Sequence, residues 1–131
     1  TLKNYMWKKV IDKKGFKLGR VINIITNNNQ IIALELMKLF KKYIIDVNFI
    51  ETITKNKIKL SIVPVVTIVG RKVFDCEGRH IGKVVELIKP PQKNEFSELV
   101  VKKHIFSKSR IIKKDEIKVN ERNIILKTRY E

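Results

Sequence analysis

A chain of 131 residues and 15.4 kDa has room for one ordinary domain or two very small ones, and 44% apolar content is enough to fill a core, which excludes a disordered basic tail. The 34 β-branched aliphatics (21 Ile and 13 Val) against a single Ala, Ala33, exclude a helical bundle and predict a mostly β fold. With 29 Lys and Arg against 13 Asp and Glu, the net charge of +16 favours a polyanionic partner, and the excess of 23 Lys over 6 Arg favours phosphate contacts over base reading.

An internal repeat organises the chain. Residues 10–21, Val-Ile-Asp-Lys-Lys-Gly-Phe-Lys-Leu-Gly-Arg-Val, align with residues 73–84, Val-Phe-Asp-Cys-Glu-Gly-Arg-His-Ile-Gly-Lys-Val, at an offset of 63. Further on the offset drifts, with Leu34 meeting Leu99, Ile50 meeting Ile117 and Leu60 meeting Leu126, as loop insertions would produce. The expected division is residues 1–61 and residues 62–131, joined by the apolar link 61–66. That link is predicted to be buried and to hold two small barrels as one rigid pseudo-symmetric unit, since a domain of about 60 residues buries little core alone.

In chain order, a short strand at residues 8–11, repeated at 71–74, runs into Asp-x-x-Gly. In that turn Asp12 or Asp75 bonds its own backbone and Gly15 or Gly78 takes positive φ. The next strand starts at Leu18-Gly19 or Ile81-Gly82, where glycine marks a bulge or barrel corner, and continues to about Ile25 or Ile88. Residues 27–29 and 90–94 read as loops, and residues 31–37 and 96–103 as third strands, with a helical turn at 34–40 as the alternative. Basic excursions follow at residues 38–43 and 102–110, then short strands at 44–45 and 111–112. A single helical or 3₁₀ turn is predicted at 46–50 and at 113–117, and a closing strand at 57–60 and 123–126. About five short strands per half predict a small curled barrel.

The pattern Val-x-Asp-x-x-Gly-x-x-[Leu/Ile]-Gly-x-Val, with an Ile/Val-rich strand after it, resembles the PRC-barrel family, residues 70–126 being the better match and the first half a diverged copy with Trp7 in place of Gly70. Members of that family are small β-barrels of the photosynthetic reaction-centre H subunit, the C-terminus of the ribosome-maturation factor RimM, and short free-standing archaeal proteins, some linked to cell division. The resemblance implies a binding or adaptor module.

No Ser/His/Asp constellation, Gly-rich phosphate loop or metal-ligand spacing is present, so no enzyme activity, cofactor or metal is expected. His80, His104 and the lone Cys76 read as surface residues. The longest apolar stretch, 62–69, is too short to span a bilayer, and the first seven residues carry no signal region, so membrane insertion is not expected and the expected location is cytoplasmic.

The informative residues are basic. Residues 1–61 carry 13 basic and 4 acidic side chains, and residues 62–131 carry 16 and 9. Candidate nucleic-acid contacts are Lys8, Lys9, Lys17, Arg20, Lys38, Lys41, Lys42 and Tyr43 in the first half, and Arg71, Lys72, Lys83, Lys102, Lys103, Phe106, Lys108 and Arg110 in the second. Residues 102–110 combine cations, hydroxyls and Phe106, a mixture suited to phosphates and a stacked base. The leading expectation is a ribosome-associated RNA-binding protein, contacting ribosomal RNA, with ribosomal proteins as further partners. The alternative is a protein–protein adaptor with an acidic partner, which would require an exposed apolar patch.

Overall fold

The computed structural model describes residues 4–90 and 92–130. The chain divides into two compact units, Thr1–Pro64 and Val65–Glu131. In the first, β1 (Lys9–Ile11), β2 (Lys17–Asn27), β3 (Gln30–Lys38), β4 (Lys41–Asp46), β5 (Ile50–Ile53) and β6 (Lys57–Leu60) form one sheet in the order β4-β3-β2-β1-β6-β5. In the second, β7 (Lys72–Phe74), β8 (His80–Ile88), β9 (Glu98–Lys102), β10 (Arg110–Lys113), β11 (Ile117–Asn120) and β12 (Ile124–Leu126) repeat it as β10-β9-β8-β7-β12-β11. The pairs β1/β6 and β7/β12 are parallel and all others antiparallel. The two edge strands of each sheet are consecutive in the chain, linked only by the 3₁₀ turns Val47–Phe49 and Lys114–Glu116. A sheet whose opposite edges are tied by three residues has to curl, and each unit is a half-barrel.

The repeat therefore extends from the motif to the whole topology. Eight buried side chains of the first unit, Val10, Leu18, Val21, Leu34, Leu36, Ile45, Ile58 and Leu60, have buried counterparts in Val73, Ile81, Val84, Leu99, Val101, Ile112, Ile124 and Leu126. Ile68 and Phe96 enlarge the second core. Fully burying each such aliphatic side chain contributes about 1.5–3 kcal/mol.

The Asp-x-x-Gly turns form as expected. Asp75 Oδ1 accepts the N–H groups of Glu77 and Arg79, both at 2.9 Å, and Gly78 has φ +83°. Asp12 Oδ1 accepts from Lys14 and Phe16 at 2.8 and 2.9 Å. Trp7 adopts φ +65°, the left-handed conformation that Gly70 takes with φ +96°, and donates its N–H to Val21 just as Gly70 donates to Val84.

Several expectations need correcting. Residues 34–38 are strand, so the helical alternative falls; β3 ends in a two-residue turn, Leu39-Phe40. Asn27 belongs to β2, and Asn28 and Asn29, at φ +51° and +65°, make a tight hairpin turn. The first basic excursion is mostly strand: Lys41, Lys42 and Tyr43 begin the edge strand β4. Each sheet has six strands, because β5 and β11 continue directly from the 3₁₀ turns. Of link residues 61–64, only Pro64 is buried and Val63 is exposed, while residues 65–68 form a 3₁₀ turn whose Ile68 enters the second core.

Candidate nucleic-acid interface

Cross-strand register turns scattered basic residues into rows. On the first sheet, Lys57, Lys9, Arg20, Met37 and Lys42 are successive partners across β6, β1, β2, β3 and β4. On the second, Lys72, Lys83 and Lys102 are successive partners across β7, β8 and β9. Adjacent strands lie about 4.8 Å apart, and like charges placed directly opposite each other are destabilising. A row of this kind costs stability in the isolated protein and regains it when an anion lies along it.

Four of the candidates, Arg20 of the first row among them, are held by the protein itself. Lys8 Nζ donates to the Thr54 carbonyl at 2.7 Å, Arg20 Nη1 to the Trp7 carbonyl at 3.0 Å, Lys38 Nζ to the Lys17 carbonyl at 3.2 Å, and Arg71 Nη1 to Asn120 Oδ1 at 3.0 Å. Lys38 and Lys41 flank the turn Leu39-Phe40 as direct partners. Tyr43 pairs with buried Leu36 and is half-buried, on the opposite face of β4 from Lys42. Gly82 presses against the end of β9, with the Lys102 carbonyl carbon 2.6 Å from where a Cβ would stand, and so fixes where the next loop departs.

That loop, residues 103–109, is the main difference between the units. Ser107 Oγ accepts the N–H groups of Lys103 and His104 at 3.1 and 3.0 Å and donates to the His104 carbonyl at 2.7 Å. Its hydroxyl is therefore a loop brace, a correction to the expectation that it serves phosphate. The loop walls a hollow of about 440 Å³ with Lys83, Val85 and Lys102, and beside it two adjoining hollows. One, of about 380 Å³, is lined by Arg79, His80, Ile81, Lys103, Arg110 and Tyr130. The other, of about 190 Å³, shares Ile81, Lys103 and Arg110 and adds His104, Ser107 and Lys108.

The walls are fixed from behind. Arg79 Nε lies 3.1 Å from Asp75 Oδ2, and the Tyr130 N–H donates to the same oxygen at 3.2 Å. The Arg110 guanidinium sits 5.6 Å from the centre of the Tyr130 ring, and the Tyr130 hydroxyl donates to Glu116 Oε1 at 3.1 Å. Burial, then the Glu116 carboxylate, push the Tyr130 phenol above its ordinary 10.0, with the Arg110 charge partly opposing, so the phenol remains a donor at neutral pH. The His80 ring rests 5.5 Å from Phe74.

Sequence reasoning selected Lys103, Lys108 and Arg110 but missed Arg79, Tyr130 and Lys57. The usable signal was the repeat: Arg79 stands where the first half has Phe16. At the loop tips, Leu39 and Phe40 are 83% and 101% exposed, and Ile105 and Phe106 are 79% and 91% exposed. Among the described residues no three His, Cys, Asp or Glu side chains gather as a metal site, and no helix is long and apolar enough to cross a membrane.

The family profile for the PRC-barrel domain matches residues 61–131, more than half of the chain. The chain belongs to the PRC-barrel family. No curated protein is similar enough to count as a relative. PRC-barrel domains mediate interactions with other molecules and are typically binding or adaptor modules. All six strands of the first unit lie ahead of the matched span, and their order and the eight shared core positions fit a tandem arrangement of the same fold.

Proposed function

We propose that this tandem PRC-barrel protein is a non-enzymatic RNA-binding protein, a component or maturation factor of the ribosome, that grips the phosphate backbone of folded RNA. The observation that carries the reading is the uninterrupted row Lys72–Lys83–Lys102, which leads into the cationic loop 103–109. Lys rather than Arg along the row suits recognition of backbone shape, and an exposed aromatic such as Phe106 at the loop tip suits stacking on an unpaired base. A cytoplasmic location goes with this reading.

Filter binding of a ribosomal RNA fragment across a salt series tests it. If the interface neutralises about six phosphates, the slope of log K against log salt is near −4 to −5. Replacing Lys102, Lys103, Lys108 and Arg110 together by Ala removes up to about 3 of that slope. An unchanged slope would take this loop out of the interface.

A second reading, a protein adaptor, is favoured by one observation: the apolar tips Leu39-Phe40 and Ile105-Phe106, exposed as an adaptor requires. Sedimentation of native lysate through sucrose separates the two. Co-migration with a ribosomal subunit at moderate salt supports RNA. Recovery at the top of the gradient at both low and moderate salt supports the adaptor.

A further inference from the structure

We infer that the second unit carries a discrete receptor for a terminal phosphate, a phosphate monoester of the kind that ends an RNA chain or a free nucleotide, formed by Arg79, Lys103, Lys108 and Arg110. The inference rests on the same surface as the RNA reading but specifies a ligand that the backbone rows do not need. Three observations carry it.

The first is fixed geometry. One buried carboxylate, Asp75, ties both walls of the hollow: Oδ2 holds Arg79 directly and holds the backbone of Tyr130, whose ring supports Arg110. Arginines anchored in this way lose little side-chain freedom when an anion arrives, and Arg79 keeps its terminal N–H groups for it. Lys103, which lines both hollows, has its backbone N–H pinned by Ser107 Oγ.

The second is charge. The four cations around the two hollows face no acidic side chain in either lining, and the two carboxylates behind them are Asp75 and Glu116. Four minus two leaves two positive charges, which matches the charge of about −1.5 to −2 on a phosphate monoester at neutral pH. A backbone phosphodiester, with one charge, would leave the site half neutralised.

The third is that only one unit has the site. The first unit has Phe16 in place of Arg79, the turn Leu39-Phe40 in place of residues 103–109, and Pro64 in place of Tyr130 at the closing offset of 66. Among the described residues its Asp12 accepts two N–H groups, both at Oδ1. The half-barrel thus forms without these residues, and in the second unit they serve something besides folding.

Fluorescence anisotropy with one labelled RNA sequence, carrying either a 5′-phosphate or a 5′-hydroxyl, tests the inference, with a nucleoside 5′-monophosphate and the bare nucleoside as competitors. The full chain is expected to bind the phosphorylated RNA at least about tenfold more tightly. Arg110→Gln and Lys103→Gln, neither of which removes a side-chain hydrogen bond among the described residues, are expected to bring the two RNAs to equal affinity; Arg79→Gln should do the same, with its melting curve checked. Equal binding of both RNAs by the unaltered chain overturns the receptor and leaves the RNA reading standing. A preference that survives Arg110→Gln and Lys103→Gln also overturns it, because the phosphate then binds elsewhere. If neither RNA binds but the monophosphate displaces a labelled nucleotide and the nucleoside does not, the receptor stands, its source is the free nucleotide, and the RNA reading fails.

Discussion

Gly82→Ala should remove most of the stability of the second unit, and Gly19→Ala that of the first. A Cβ at Gly82 would collide with the backbone carbonyl of Lys102, and one at Gly19 would stand 2.5 Å from the carbonyl oxygen of Met37. Both obstacles are backbone in the neighbouring strand, so no rotamer change relieves them, and the strand pair at the barrel corner must separate. Overpacking of this severity costs about 3 kcal/mol or more, against a total of only about 5 kcal/mol for a domain of this size. Gly78→Ala supplies the contrast. Its φ of +83° disfavours a side chain, but nothing lies within 4 Å, so its cost is the left-handed penalty of about 1–2 kcal/mol. Thermal denaturation followed by circular dichroism, with hydrogen exchange to assign the loss to one unit, reads the ranking. Gly82→Ala melting within a few degrees of the unaltered chain, or above Gly78→Ala, would mean that β8 and β9 do not cross closely. The same substitution should abolish phosphate binding by the second unit, since Lys102 and Lys103 lose their fixed departure point.

The features legible in the sequence were those set by short-range chemistry. Asp-x-x-Gly specifies its turn within five residues, and the glycine four residues later marks the corner, so the repeat and most core positions could be read from the alignment of the two halves. The strands β5 and β11 escaped because they are four-residue edge strands with no fully buried residue: Ile-Glu-Thr-Ile has no alternation, and the alternation of Ile-Lys-Val-Asn is too short to stand out after the 3₁₀ turn it follows. Lys41 and Lys42 read as loop because Lys is disfavoured in strands generally, whereas an edge strand uses it to discourage pairing with another chain. Individual cations were chosen by local density, yet what assembles Lys57, Lys9 and Arg20 into a row is register between strands far apart in sequence. Arg79 and Tyr130 were harder still, because they meet only through Asp75, which lies 55 residues before Tyr130.

Asp75→Ala should lower the melting temperature of the second unit by on the order of 10 °C, more than Asp12→Ala lowers that of the first. Four groups donate to Asp75: the N–H groups of Glu77 and Arg79 to Oδ1, and the Tyr130 N–H and Arg79 Nε to Oδ2. Asp12 receives two. Each buried donor left without an acceptor costs free energy, so the larger loss falls on the second unit. Asp75→Asn sharpens the test, because an amide can accept at one oxygen but turns its NH₂ toward two donors at the other. Burial pushes the Asp75 carboxyl up, but the N–H groups of Arg79, Tyr130 and Glu77 and the Arg79 side chain outweigh it and hold the carboxyl below its ordinary 3.8. A carboxyl whose folded value is depressed contributes stability that is complete above the unfolded value and is lost as pH falls through the folded one. The melting gap between the unaltered chain and Asp75→Asn should therefore be constant above about pH 5 and shrink as pH drops below 3.8. A gap that persists unchanged to pH 2 would mean that the ionised carboxylate is not what joins the two walls. Because Asp75 holds Arg79 directly and Arg110 through Tyr130, Asp75→Asn should also remove the preference for 5′-phosphorylated RNA at temperatures where the second unit is still folded, which separates its role in positioning the arginines from its role in folding.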